Sequence, residues 1–230
     1  MRKGKKLSPA LVAVQRTDEH AVERHAACLS RLREGPIELL FLGDSITRRL
    51  SDVGDLWKRY FGAYAAANFG VGSDETGHLL WRIRNGELEG IDPKLIVLLI
   101  GTNNAPRDRG RDIAEATERI LRVIRRKCPA SRILLLALLP RGPSRGEGEW
   151  SPADAKTARA IRRANRILAR RVSERRIGIS NLCYVDLGSL FLDGRGRTRS
   201  DLMPDRLHPG RDGFELLAPV LADLVRDLIS

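Results

Sequence analysis

Cysteine is scarce in this chain. Cys28, Cys128 and Cys183 are the only three in 230 residues, an odd number at no metal-like spacing, which argues against a disulfide framework and makes the cytoplasm the expected compartment. Long apolar runs are also missing. The longest, 95–100 and 133–139, have the length of buried strands and fall far short of the roughly 20 residues that span a bilayer. No Pro/Gly/Ser-rich linker divides the sequence, so residues 17–230 read as one domain behind a basic, loosely ordered lead-in at 1–16. That lead-in is followed by neither a continuous apolar stretch nor a small-residue cleavage site, which speaks against a secretory signal. Acidic residues are outnumbered by basic ones, 29 against 41, for a net charge of +12. The excess is mostly arginine at helical spacing, as in Arg119, Arg122, Arg125 and Arg126 and again in Arg159, Arg162, Arg163, Arg166, Arg170 and Arg171, interleaved with Ile120, Val123, Ile124, Ile161, Leu168 and Val172. Such arginines occupy the solvated face of amphipathic helices. Without interleaved aromatics or a nucleic-acid motif, nucleic acid is not an expected partner. The loop at Asp193 has one acid where an EF-hand needs several, so no metal is assigned.

What the sequence does contain is an alternation of apolar runs and helical patterns. Helices are expected over 17–32 with Thr17 as N-cap, 46–60, around 79–83, 108–127, 153–175 and 210–229. Strands are expected from residue 37 to the Gly43 turn and over 65–69, 95–100, 133–139 and 182–187. Residues 141–154, with Gly, Pro, Ser and Trp150, read as a mobile flap, and 188–204 as irregular. This order implies a doubly wound, mainly parallel sheet of five strands with helices on both faces, a three-layer α/β sandwich of flavodoxin-like organisation.

Polar residues gather at the carboxyl ends of those strands, where open α/β sheets bind ligands. The first strand ends in Gly43-Asp44-Ser45. Ser45 either caps the helix that follows or stands free as a nucleophile. The second strand leads into Gly70-x-Gly72-x-x-x-x-Gly77, which lacks the spacing and the downstream acid of a dinucleotide fingerprint; a backbone amide at Gly72 aimed at an oxyanion is the better use of the turn. The third ends in Gly101-Thr102-Asn103-Asn104, where an asparagine serves either a turn or a reaction. Of four histidines, His20 and His25 fall on the first helix and His78 at the start of another. His208 alone lies in a loop with an acid, Asp205, three residues before it. A serine nucleophile needs such a base held by a carboxylate. On this reading Ser45 attacks an acyl carbonyl, His208 moves the proton, Asp205 orients the imidazole, and the Ser45 and Gly72 N–H groups with the Asn103 amide hold the oxyanion. Ile46, Thr102 and Leu207, beside these groups in sequence, are expected to border the acyl chain.

Gly43-Asp44-Ser45-Ile46, Gly72, Gly101-Thr102-Asn103 and Asp205-x-x-His208 resemble, in order, the four sequence blocks of the SGNH (GDSL-type) hydrolases. The likeness extends from about residue 37 to 224. The stretches N-F-G-V-G, L-L-W-R-I-R-N-G-E-L, I-G-T-N-N and L-L-P-R-G are similar to the catalytic subunits of the intracellular platelet-activating factor acetylhydrolase. The resemblance implies the SGNH hydrolase fold, an esterase for short acyl groups acting on a small-molecule ester, no metal or organic cofactor, and a homodimer. Ile46 stands where the family has leucine, and 141–154 looks like an insertion that reshapes substrate access. The nucleophile is not in G-x-S-x-G, which disfavours the α/β-hydrolase fold. A carbohydrate acetylesterase using the same site and a non-catalytic basic binding module are the alternatives.

Overall fold

The computed structural model describes residues 8–143 and 151–229. Five strands, β1 (Leu39–Gly43), β2 (Ala66–Gly70), β3 (Leu95–Leu99), β4 (Arg132–Leu136) and β5 (Leu182–Val185), form one sheet in the order β2-β1-β3-β4-β5. Every neighbouring pair is parallel. Helix α1 (Glu19–Arg31) precedes β1; the long crossovers that parallel strands need are made by α2 (Ser45–Asp52), α3 (Gly54–Phe61), α4 (Thr76–Arg84), α5 (Gly110–Lys127) and α6 (Pro152–Ser173); and α7 (Arg211–Ile229) follows β5.

The central strands are apolar at almost every position because helices cover both faces. Alternate residues divide between two cores. Leu39, Phe41, Leu95, Val97 and Leu134 pack with α2, α3 and α7, whereas Leu40, Leu42, Ile96, Leu98 and Ile133 pack with α1, α4 and α5. Helix α6 reaches both, through Ile161 and Ala164 to the first and Ile167 and Leu168 to the second. The arginines Arg159, Arg162, Arg163, Arg166 and Arg170 lie exposed on its outer side. Among the described residues, no helix is long and apolar enough to cross a membrane.

Three expectations need correction. Residues 46–60 do not make one helix: the chain leaves helical geometry at Val53 (φ −85, ψ 70), just before the weak helix former Gly54. The break turns α3 so that Trp57 and Phe61 each meet the Phe41 ring edge-on at 5.1 Å. The first helix is capped by Asp18, whose carboxylate accepts the Ala21 N–H, and not by Thr17. Most consequentially, residues 8–16 are packed rather than loose. Ala10 and Leu11 are buried with Ala116, Thr76 Oγ1 donates to the Ala10 carbonyl, and the Val14 N–H bonds the Gly77 carbonyl. A side chain at Gly77 would place its Cβ 2.4 Å from the Val12 carbonyl oxygen, so glycine there lets this strap lie against α4. Of the segment read as a flap, residues 144–150, Trp150 included, lie outside the described residues.

Register brings the strand ends level. Gly43 pairs with Gly70 on one side and Leu99 on the other, so the turns after β1, β2 and β3 open on one edge. Gly43 is needed there: a Cβ would stand 2.1 Å from Thr47 Oγ1 and 2.3 Å from the Leu99 carbonyl.

Candidate active site

Ser45 is the first residue of α2, half-buried, with Asp44 before it as the N-cap. Its Oγ lies 2.8 Å from His208 Nε2. The other ring nitrogen, Nδ1, is 2.6 Å from Asp205 Oδ2. The three groups expected from 163 residues apart in sequence are therefore in one hydrogen-bonded chain. The short Asp-x-x-His spacing has a local cause: Asp205 Oδ1 turns back to accept the Leu207 and His208 N–H groups at 3.0 and 2.7 Å, with Arg206 between them at φ +62. Partial burial works against the Asp205 charge, but those N–H bonds and the imidazole outweigh it and hold the carboxyl below its ordinary value. An ionised Asp205 accepts the proton on Nδ1, which leaves Nε2 bare toward the Ser45 hydroxyl. A hydroxyl so placed gives its proton to the imidazole as it attacks an electrophile.

Gly72 and Asn103 flank the same edge. Asn103 sits in the 3-10 turn Thr102–Asn104 that follows β3. Its Nδ2 donates to the Asp74 carbonyl at 2.9 Å, which occupies one amide hydrogen and orients the second. The neighbouring Asn104 has the structural task, accepting the Thr76 N–H and donating to Asp108. The residues expected around an acyl chain are placed differently from one another. Ile46 and Thr102 are 3% and 1% exposed, turned into the core. Half-buried Leu207 instead lines a cavity of about 310 Å³ together with Pro106, Arg141, Thr157 and Asp205.

Two features escaped the sequence. The first is Asp44, wholly buried at the N-terminus of α2 directly before Ser45. One carboxyl oxygen accepts the Ile46 N–H at 3.0 Å; the other, Oδ2, is buried without a partner. Burial pushes this carboxyl up to about 7, against the pull of the Ile46 N–H. The second is a buried ionic cluster beneath the β2–α4 turn. Arg82, 4% exposed, binds Asp74 Oδ2 at 2.8 Å, pairs with Glu87, and reaches the carbonyls of Phe69 and Gly43. Burial opposes the Arg82 charge, yet Glu87 and Asp74 raise its pKa; burial likewise opposes the Glu87 charge, yet Arg82 and His25 hold that carboxyl low. His25 closes the cluster, its Nδ1 2.8 Å from Glu87 Oε1. An arginine at an inward position of a helix was the available signal.

Comparison with known proteins gives a consistent picture. The model of the GDSL-like Lipase/Acylhydrolase family matches residues 41–216. The Gallus gallus platelet-activating factor acetylhydrolase IB subunit alpha2 is 30% identical over 213 residues, covering 93% of this chain and 86% of its own length. The Rattus norvegicus alpha1 subunit is 30% identical over 193 residues, 84% of this chain and 77% of that one. Among solved structures, a GDSL-like lipase from Bacteroides thetaiotaomicron superposes with a TM-score of 0.64 at 16% identity, covering 89% of this chain and 96% of that chain, a likeness of fold.

Proposed function

The chain belongs to the GDSL-like lipase/acylhydrolase family and is a carboxylic ester hydrolase, and we propose that it cleaves short-chain, acetyl-type esters through an acyl-enzyme on Ser45. The observation that carries the proposal is the hydrogen-bonded chain from Ser45 through His208 to Asp205. Ser45 Oγ attacks the acyl carbonyl while His208 Nε2 takes its proton, and the imidazolium returns that proton to the leaving alcohol. Asp205 fixes the tautomer and stabilises the charged ring. The oxyanion is held by the N–H groups of Ser45 and Gly72 and by the free amide hydrogen of Asn103. Water, activated by the same imidazole, then attacks the acyl-enzyme.

One observation supports a short acyl group: the curated relatives are acetylhydrolases by name. Forcing extra methylenes into a filled site costs about 1–3 kcal/mol, a loss of about 5- to 150-fold. The test is kcat/KM on p-nitrophenyl esters from acetate to decanoate, with acetylated sugars in the same screen and Ser45→Ala as the blank. Acetate or propionate should win. An optimum at octanoate or longer refutes the short acyl pocket, a preference for acetylated sugars moves the substrate class to carbohydrate esters, and turnover surviving in Ser45→Ala overturns the nucleophile. The free state of Cys28, Cys128 and Cys183 fits the cytoplasm, the compartment we propose.

A further inference from the structure

The turn that carries Gly72 is held from outside the sheet by the strap at residues 8–16. Arg16, its last residue, is mostly buried, with a side chain 17% exposed. Its Nη1 donates both to the Gly72 carbonyl and to Asp74 Oδ1, the latter at 3.0 Å. The other side of the guanidinium binds Asp18, with Nε and Nη2 each 2.9 Å from a carboxylate oxygen. Asp74, the acid that Arg16 grips, also presents the carbonyl that tethers Asn103. One guanidinium thus bonds the carbonyl of the residue whose N–H is one oxyanion donor and reaches the second donor through a single residue.

The piece of chain between these contacts is strained. Ser73, exposed and not glycine, has φ +65, a left-handed conformation that is strained for a residue with a side chain and persists only when its surroundings impose it. Arg16 holds the residues on both sides of it. Arg82 holds Asp74 from beneath, and its other bonds go to Glu87 and to the carbonyls of Gly43 and Phe69. Without Arg16 the turn keeps only Arg82 and the bond from the Asp74 N–H to the Val71 carbonyl, and a shift of Ser73 toward negative φ rotates Gly72 and moves the Asp74 carbonyl away from Asn103.

We propose that Arg16 is a positioning residue for oxyanion stabilisation: the N-terminal strap, through this guanidinium, sets the Gly72 N–H and the Asn103 amide for the transition state. The proposal rests on the reading of Gly72 and Asn103 as oxyanion donors. Deleting one such donor costs about 10²–10³ in kcat; displacing donors that remain present should cost less, about 10- to 100-fold, with KM within about twofold.

The test is steady-state hydrolysis of p-nitrophenyl acetate by the full chain carrying Arg16→Ala, Arg16→Lys or Asp18→Asn. Asp18→Asn loosens the outer ion pair and keeps a capping side chain, while leaving the bonds to Gly72 and Asp74; its kcat should match wild type. Arg16→Ala should lose kcat, and methylguanidinium below denaturing concentration should restore part of it. In a cycle with Asn103→Ala the losses should be strongly less than additive, because both act on one oxyanion. Arg16→Lys keeps the charge but gathers its donors on one nitrogen in place of the guanidinium fork, so it preserves the fold if Arg16→Ala does not, and must still show the kcat deficit. Wild-type kcat in the lysine and alanine variants, equal deficits in Arg16→Ala and Asp18→Asn, or additive losses with Asn103→Ala would each overturn the proposal. Activity surviving in Ser45→Ala would instead overturn the assignment of the site.

Discussion

Replacing Asp44 by asparagine should change how the stability of the protein depends on pH. Asp44 is wholly buried, and only one of its carboxyl oxygens has a partner. Burial moves the folded-state value from the ordinary 3.8 up to about 7. The folded state therefore keeps a proton on Asp44 through a range in which the unfolded chain has lost it, so stability falls as pH rises through that range. Below 3.8 both states are protonated and there is no penalty; above about 7 it is fully present. At about 1.4 kcal/mol per pH unit, the interval amounts to about 4 kcal/mol, a large share of the 5–15 kcal/mol that typically separates folded from unfolded protein. In the asparagine variant the oxygen still accepts the Ile46 N–H and no proton is linked to folding. Any cost of burying the amide is independent of pH. The stability of the variant minus that of wild type should thus rise by about 4 kcal/mol between pH 4 and pH 8, whatever its starting value. Urea unfolding of both proteins at unit pH steps measures it, and for a chain of this size the midpoint of thermal unfolding should separate by about 10 °C over the same range. A difference that stays flat with pH would refute the reasoning and show that Asp44 ionises as an ordinary carboxylate.

Asn103→Ala should lower kcat by about 10²–10³ with little change in KM, and cost about 1 kcal/mol of stability through the lost bond to the Asp74 carbonyl; a change confined to KM would return Asn103 to the role of a turn residue. Asp205→Asn should reduce kcat by about 10⁴ while leaving the circular dichroism spectrum unchanged, because an amide hydrogen facing Nδ1 favours the tautomer that cannot take the serine proton. Near wild-type turnover in that variant would remove Asp205 from the proton path.

The layers of this fold were legible in the sequence because the central strands β1 and β3 are continuous apolar runs and each long helix has a clear amphipathic pattern. Leu95–Leu99 is buried at every position, as its composition demands. The errors fell where a local signal was weak or a distant contact decided. Nothing in S-D-V-G-D announces a helix break strongly enough to predict that α3 turns to stack Trp57 and Phe61 on Phe41. The strap looked loose because it was read together with the basic residues Arg2, Lys3, Lys5 and Lys6 just before it. Its order comes from main-chain bonds to Thr76 and Gly77 and from Ala10 and Leu11 filling a hollow beside Ala116, none of which has a period to read.

In the candidate site, the legible parts are those whose geometry is local. Asp205 and His208 are joined by a turn that the carboxylate itself folds, and Ser45 follows directly from the end of β1. The supporting shell depends on pairings across the chain, Arg16 with Gly72 and Asn103 with Asp74. Even so, one of its members was within reach. The period that puts Leu79, Leu80 and Ile83 inward puts Arg82 inward as well, and all four are no more than 4% exposed. A guanidinium cannot be buried there without compensation, since desolvating an unpaired charge costs several kcal/mol. Carboxylates close in sequence had to turn toward it, and Asp74 and Glu87, eight residues before and five after, are the acids it binds. Asp74 then has a fixed position, and its carbonyl tethers Asn103 while its carboxylate receives Arg16. A charge in an inward helical position thus requires an ionic cluster, and here that cluster underlies the turn that we propose binds the oxyanion.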